Sequence, residues 1–302
     1  MLHPRAFKVT VVWTLLLLFL GSVVHATESS LACPDWPTCF GTMVPEMSGG
    51  VFWEHLHRLV AGGLVLMFSL ATWLVHKEVR DRPWILKACW AGIALLLVQS
   101  AFGGLTVIYR LPDLVSTTHL ALAFGFLGLA TYLAAATTSR VEPHGSDADA
   151  GIRLWAWAAA GLVFAQSVLG GLVRHMDAGM ACPDAPLCLG QVVPPLINAP
   201  IITHFAHRVL ALVVVLAVLG LVVRVWRGHA SAPLKHWAAA AGILVLVQVA
   251  LGVASVLSVL AVAPVSLHTL VAAGLLASLV YLSGLTSPTP LGEPKAMAAT
   301  AA

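Results

Sequence analysis

Four histidines stand at matched places in the chain: His57 in Trp53-Glu54-His55-Leu56-His57-Arg58, His119 in Ser116-Thr117-Thr118-His119, His207 in Thr203-His204-Phe205-Ala206-His207-Arg208 and His268 in Val265-Ser266-Leu267-His268. Each sits a short way into a separate long apolar stretch. An ionisable side chain is costly there and marks function by default. They form two pairs, His57/His119 and His207/His268, separated by about 150 residues. Imidazole nitrogen is a metal ligand, and two per site suit haem iron, whose equatorial plane the porphyrin fills. A bare zinc or copper site would need three or four protein ligands. The four are therefore expected to be axial ligands to two haems, one pair in each half. His55 and His204, two and three residues from His57 and His207, point away from or obliquely to the ligand face and are read as secondary.

Glu54 precedes His57 by three positions and so shares its helix face. Its counterpart in the second half is Thr203 or His204, which leaves a carboxylate beside only one pair. That inequality is what a reactive site would use, as a proton acceptor or to stabilise a developing cation; the alternative is a surface carboxylate favoured by the helix dipole. Arg58 and Arg208 directly follow histidines and are expected to pair with haem propionates. Cys33/Cys39 and Cys182/Cys188 are both Cys-x5-Cys, each braced by two prolines. In an oxidising compartment such pairs are normally disulfides. Stapling of the loop, thiol–disulfide exchange and metal capture all remain open for them. Cys89, alone in an apolar helix, reads as a packing residue.

The elements that must position these residues are membrane helices. Of 302 residues, 59% are hydrophobic and 10% charged, and the mean hydropathy is +0.92. A soluble domain of this size has more polar surface than that, so the chain is a polytopic membrane protein. A net charge of +3 does not point to nucleic acid, and no Walker sequence, glycine-rich nucleotide loop or HExxH is present. Eight apolar stretches are long enough to span, at 8–27, 51–76, 84–109, 113–138, 152–175, 199–226, 234–260 and 264–286. Lys77, Arg80, Arg82, Lys87, Arg140, Arg153, Arg224, Arg227 and Lys235, with Arg5 and Lys8, crowd alternate connections. The loops 28–50 and 176–198 hold Glu28, Asp35, Glu46, Asp177 and Asp184 and neither Lys nor Arg. The positive-inside rule then places both termini in the cytoplasm and both long loops outside. At ~1.5 Å per residue, each histidine falls within about 6–12 Å of the outer start of its helix. Residues 1–26 also have the form of a signal peptide, with Val24-His25-Ala26 as a cleavage site.

The chain is a duplication. Ala32-Cys33-Pro34-Asp35-Trp36-Pro37-Thr38-Cys39-Phe40-Gly41 recurs as Ala181-Cys182-Pro183-Asp184-Ala185-Pro186-Leu187-Cys188-Leu189-Gly190 with a shift of 149 residues, which His119 and His268 share; His57 to His207 is one residue longer. Four helices per half in the same sense make a parallel repeat about the membrane normal. Gln99-Ser100-Ala101-Phe102-Gly103-Gly104 is echoed by Gln166-Ser167-Val168-Leu169-Gly170-Gly171 and more weakly by Gln248-Val249-Ala250-Leu251-Gly252. Odd helices thus carry glycines and even helices carry histidines. Small residues admit close approach of helices or of a flat macrocycle, and facing helices supply ligands from within a bundle; ordinary tight helix packing is the alternative. The expected fold is an all-α integral membrane protein of eight helices in two pseudo-symmetric four-helix bundles. The domains are 1–140 with its outer loop at 27–50, a cytoplasmic linker at 141–151, 152–286 with its outer loop at 176–198, and a disordered tail at 287–302.

Cys33-Pro34-Asp35-Trp36-Pro37-x-Cys39, Glu54-x-x-His57-Arg58 and the histidines of helices 4, 6 and 8 together resemble the haem A synthase family over roughly 10–285. The resemblance implies conversion of haem O to haem A, by stepwise hydroxylation of the porphyrin C8 methyl to a geminal diol that loses water to leave a formyl group. It implies haem O as substrate between His57 and His119, haem b as cofactor between His207 and His268, and Glu54 as the carboxylate needed for activity. Membrane lipid, haem O synthase and cytochrome oxidase assembly factors are the implied partners, in a bacterial cytoplasmic (inner) membrane. Two departures, His25 where many members carry Lys or Arg and Ala185 in place of a tryptophan, touch loop contacts rather than ligands. A di-haem b electron carrier and a haem exporter or chaperone are the rival readings. The first gives Glu54 no task, and the second predicts binding with no change in the macrocycle.

Overall fold

A computed structural model describes residues 1–79, 82–138, 147–228 and 230–286, with only the backbone described at 147–149. Arg80, Arg140, most of the linker and the tail 287–302 lie outside the described residues. Within them the chain forms eight long α-helices and no strand: α1 (His3–Ala26), α2 (Gly49–Glu78), α3 (Pro83–Ile108), α4 (Asp113–Thr138), α5 (Asp147–His175), α6 (Ala199–Arg227), α7 (Ala232–Leu257) and α8 (Val262–Leu285). All eight are long and apolar enough to cross a membrane. A short 3-10 turn, Ala178–Met180, precedes the second cysteine loop.

Helix starts follow local chemistry. Proline occupies the first turn of α1, α3, α6 and α7, where its fixed φ fits and its missing N–H is not needed. Asn198 caps α6 by accepting from Ile201 N–H at 3.0 Å. α1 begins five residues earlier than hydropathy predicts. The Glu78 carboxylate at the end of α2 accepts from the backbone N–H of Leu2 at 2.8 Å and of His3 at 3.3 Å, satisfying donors that a helix start leaves free. Buried hydroxyls bond back one turn, as Thr10 to Ala6 O, Thr72 to Phe68 O and Ser278 to Gly274 O do. Polar groups in hydrocarbon must find partners inside the protein.

Packing closes two rings. α1 and α3 each pack on α2 and α4, while α5 and α7 each pack on α6 and α8; α1, α4, α5 and α8 then meet one another between the rings. The peripheral helices turn residues such as Leu66, Leu97, Leu216 and Ile243 outward, as lipid-facing surfaces do. One core is aromatic, with Phe68 between Phe7 at 6.3 Å and Phe126 at 5.0 Å. The other is built from Val214, Val218, Leu221, Leu275 and Leu279 with alanines. Trp13 of α1 donates to Val60 O of α2 at 3.1 Å, and Trp155 of α5 donates to Ala217 O of α6 at 3.0 Å.

Candidate functional site

All four histidines line one cavity of about 1280 Å³ that runs between the two rings. It exceeds the ~300–1,000 Å³ of an ordinary small-molecule pocket. Each imidazole rests on a glycine of the preceding odd helix. A Cβ added at Gly21 would stand 3.0 Å from His57 Cε1, at Gly103 3.0 Å from His119 Cε1, at Gly170 2.9 Å from His207 Cε1 and at Gly252 3.1 Å from His268 Cε1. No larger residue fits under these rings without moving them. The glycines of the odd helices therefore admit the histidine side chains of the even ones, a finer role than close approach of backbones.

Three of the rings also meet a glutamine placed one turn before the glycine. Gln99 Nε2 lies 3.4 Å from His119 Nε2, Gln166 Nε2 3.0 Å from His207 Nδ1, and Gln248 Nε2 3.2 Å from His268 Nε2. His119 Nδ1 donates to the Gln99 carbonyl at 3.1 Å. The sequence shows these glutamines as part of a repeat, but their partners are visible only in three dimensions.

The cysteine loops lie over the cavity as straps. Cys33–Cys39 and Cys182–Cys188 form disulfides with Cα atoms 4.8 and 4.6 Å apart. Arg58 Nη1 donates to Asp35 O at 2.7 Å and Thr38 O at 2.5 Å; Arg208 Nη1 donates to Asp184 O at 2.8 Å and Leu187 O at 2.5 Å. Both guanidiniums thus bind the loops from beneath, while also lining the cavity. Within each loop the aspartate turns back on its own backbone. Asp35 accepts from Phe40 N–H at 2.6 Å, Gly41 N–H at 2.9 Å and the Thr38 hydroxyl, and Asp184 from Leu189 N–H at 2.8 Å and Gly190 N–H at 2.7 Å. Gly41 and Gly190 have φ of +73° and +72°, a turn that favours glycine. Thr38 first, and then the backbone donors, hold the Asp35 carboxyl below the usual range; the Gly190 N–H leads the same effect at Asp184. His55 Nε2 donates to Met43 O at 3.1 Å and His204 Nδ1 to Ala178 O at 2.9 Å, so both secondary histidines serve loop segments.

Glu54 is buried, with 4% of its surface exposed. Its Oε2 accepts from Cys33 N–H at 2.8 Å and its Oε1 from Arg58 Nη2 at 2.5 Å, so the carboxylate is fixed at the cavity wall between the strap and the imidazoles. Between the rings lies a polar belt that sequence reasoning missed. His25 and His175 approach to 5.2 Å between centroids, Arg174 donates to His25 O at 3.1 Å, and Thr117 Oγ1 lies 2.9 Å from His175 Nδ1. Leu111 and Leu260, in left-handed backbone at φ 60° and 61°, also reach the cavity.

The donor set suits a bound porphyrin. Two neutral-capable imidazoles per ring, an apolar wall, glycine seats beneath the rings and buried Nδ1 atoms of His57 and His268 without partners fit axial ligation. Bare-metal ligation finds a different set, Cys33, Cys39 and His55, whose ligand atoms lie within 4.8 Å of one another; two of these are tied in a disulfide.

A family model described as cytochrome oxidase assembly protein, COX15-CtaA, matches residues 5–49 and 46–280. A heme A synthase of Symbiobacterium thermophilum is 32% identical over 283 residues, covering 91% of this chain and 92% of its own. One from Halalkalibacterium halodurans is 29% identical over 283 residues, covering 90% and 93%. A third, from Shewanella oneidensis, is 27% identical over 316 residues, covering 91% and 94%.

Proposed function

The chain belongs to the cytochrome oxidase assembly protein family, COX15-CtaA, and from that premise we propose that it makes haem A from haem O, as an oxidoreductase acting on the C8 methyl of the porphyrin. It is a multi-pass membrane protein. Its charge pattern supports placement in the bacterial cytoplasmic membrane, termini inside, with the cysteine loops and haem sites on the outer side. The amino-terminal domain, 1–140, takes haem O between His57 and His119. The carboxy-terminal domain, 152–286, keeps haem b between His207 and His268, where the group supplies a redox relay when bound.

One observation carries this division of labour. The two sides of the cavity share imidazoles, glycine seats, arginines and straps, yet among the described residues only the amino-terminal side lines it with a carboxylate. Oxidising a methyl group to a formyl group with oxygen from water releases protons and also electrons, which must pass to an external electron acceptor, and it builds positive charge at the methyl carbon. Glu54, fixed by Cys33 N–H and Arg58, is placed to take a proton from attacking water or to balance that charge. Arg58 and Arg208 add positive charge at the cavity wall, to which propionates would pair. The disulfides close the straps whose backbone holds these side chains in place.

The decisive experiment is purification from cells co-expressing a haem O synthase, with the bound haems identified by mass spectrometry. Haem A and its hydroxylated precursor are expected. Unmodified haem alone would end the proposal, and a Glu54→Ala protein that turned over haem O at the wild-type rate would remove Glu54 from the chemistry.

A further inference from the structure

Three ligand-type side chains other than the four cavity histidines come together at the first strap. The donor atoms of Cys33, Cys39 and His55 lie within 4.8 Å of one another, and the three residues are buried, at 0%, 0% and 3% exposure. The strap brings the two sulfurs side by side, and α2 supplies the imidazole. His55 already has the partner that a metal-binding histidine needs on its far side. Its Nε2 donates to Met43 O at 3.1 Å, which puts the ring proton on Nε2 and the lone pair on Nδ1. That Nδ1 is buried and has no hydrogen-bond partner. A buried acceptor left unpaired is rare and calls for a cause. The second strap is not built this way. The shift that relates His57 to His207 puts Phe205 at the place of His55, and His204 turns its Nδ1 to Ala178 O at 2.9 Å. Among the described residues no such cluster includes Cys182 and Cys188.

We propose that the first strap has two closed states: a disulfide when oxidised and, when reduced, a site in which Cys33 Sγ, Cys39 Sγ and His55 Nδ1 hold one soft monovalent cation, Cu(I). Reduction breaks the Cys33–Cys39 bond with two electrons and two protons from an external dithiol, which leaves as its own disulfide. Binding then releases the two thiol protons and forms two Cu–S bonds and one Cu–N bond, with copper staying Cu(I) throughout. The donor set selects the ion. Thiolates favour Cu(I) and zinc over harder divalent ions, and zinc in a structural site takes four ligands. A fourth is not in the cluster, since the nearby Glu54 carboxylate is engaged by Cys33 N–H and Arg58. Three donors complete a trigonal Cu(I) site. None of the four cavity histidines takes part, so the site does not depend on what they bind.

The test uses the full-length detergent-solubilised protein in two forms, one keeping only the first pair (Cys182→Ser with Cys188→Ser) and one keeping only the second (Cys33→Ser with Cys39→Ser). Each is titrated anaerobically with Cu(I) against the chromogenic chelator bicinchoninate, before reduction and again after dithiothreitol has been added and removed. The first-pair protein is expected to take one Cu(I), and only after reduction. The second-pair protein, with two thiolates and no imidazole, should bind ~10–100-fold more weakly, the loss typical when a metal-binding histidine is disturbed. His55→Phe in the first-pair protein should bring it to the same level. Should that variant not fold, copper-edge X-ray absorption of the first-pair protein decides. Two sulfurs and one imidazole nitrogen are expected, and a sulfur-only shell overturns the site. So does Cu(I) taken up equally before reduction, held equally by the two pairs, or displaced by equimolar Zn(II).

Discussion

Arg58 and Arg208 reach the same set of strap carbonyls, but they divide their donors differently. Arg208 Nη2 closes on Cys182 O at 2.6 Å, whereas Arg58 Nη2 stands 3.4 Å from Cys33 O because it turns to Glu54 at 2.5 Å. Glu54 in turn takes the Cys33 N–H, a donor for which the second half offers Thr203 or His204 in place of a carboxylate. The covers differ as well. Trp36 lies against Gly104 of α3, where an added Cβ would stand 2.7 Å from its ring; at the places related by the 149-residue shift the chain has Ala185 and Val253. The lesson is that both halves carry the strap and the imidazole seats, while the amino-terminal half adds a buried acid and an aromatic lid.

The largest test of that contrast is at the acid. Glu54→Gln keeps the shape and the Cys33 contact but removes the proton acceptor, so turnover of haem O should fall by ~10²–10⁴-fold with haem content unchanged. Thr203→Ala, at the matching place in the other half, should leave turnover as it was. Equal losses in both would erase the distinction between the pockets.

Removing the arginines should come next. Arg208→Ala gives up charged hydrogen bonds to strap carbonyls, and a loss of about 2–3 kcal/mol in thermal or denaturant unfolding is expected. Arg58→Ala also strands the buried Glu54 carboxylate and should cost about 3–5 kcal/mol. Adding Glu54→Gln to Arg58→Ala should recover the excess. If the two single variants are equally destabilised, the Glu54–Arg58 pair is not the source of the difference.

A smaller effect separates the tryptophan contacts. A Cβ at Gly63 would stand 2.6 Å from Trp13 Cζ2, and one at Gly220 2.8 Å from Trp155 Cζ2. Gly63→Ala should destabilise by ~1–3 kcal/mol through overpacking. Gly220→Ala should cost less, because Trp155 is 37% exposed and has room to move.

The smallest concerns pH. Both strap aspartates have folded-state pKa values held below the ordinary carboxylate value. Their contribution to strap order is therefore complete above ~pH 4 and is lost as pH falls through the depressed folded values. Thr38→Val removes the hydroxyl donor that only Asp35 has, so the first strap should open at a higher pH than in wild type. Reductant-dependent labelling of Cys33 and Cys39 across an acid titration reads this directly, with Cys182 and Cys188 as the internal reference.

Much of this molecule was legible in one dimension. Eight spans follow from runs of apolar residues, and the observed helices differ from the expected limits by a few residues, most at Asp147 and at His3, where Glu78 from a distant helix completes the start. The matched histidines and paired cysteines follow from residue identity and from the repeat. Glu54 stood out because its counterpart lacks a carboxylate. What spacing alone could not give was the use of each donor. Arg58 and Arg208 were expected at propionates, and their visible contacts are with strap carbonyls.

Hydropathy and repetition are properties of consecutive residues, so the chain by itself set the number of helices, the doubling and the residue types available for ligation. Contacts between helices depend on rotation and depth, which no run of residues encodes locally. Only the folded arrangement decided that the two rings share one cavity, that His25 meets His175 between them, and that each of the four imidazoles finds a glycine on the preceding odd helix. Gly21 on α1 acquires its meaning from the His57 ring on α2, and that pairing exists only once the helices are packed.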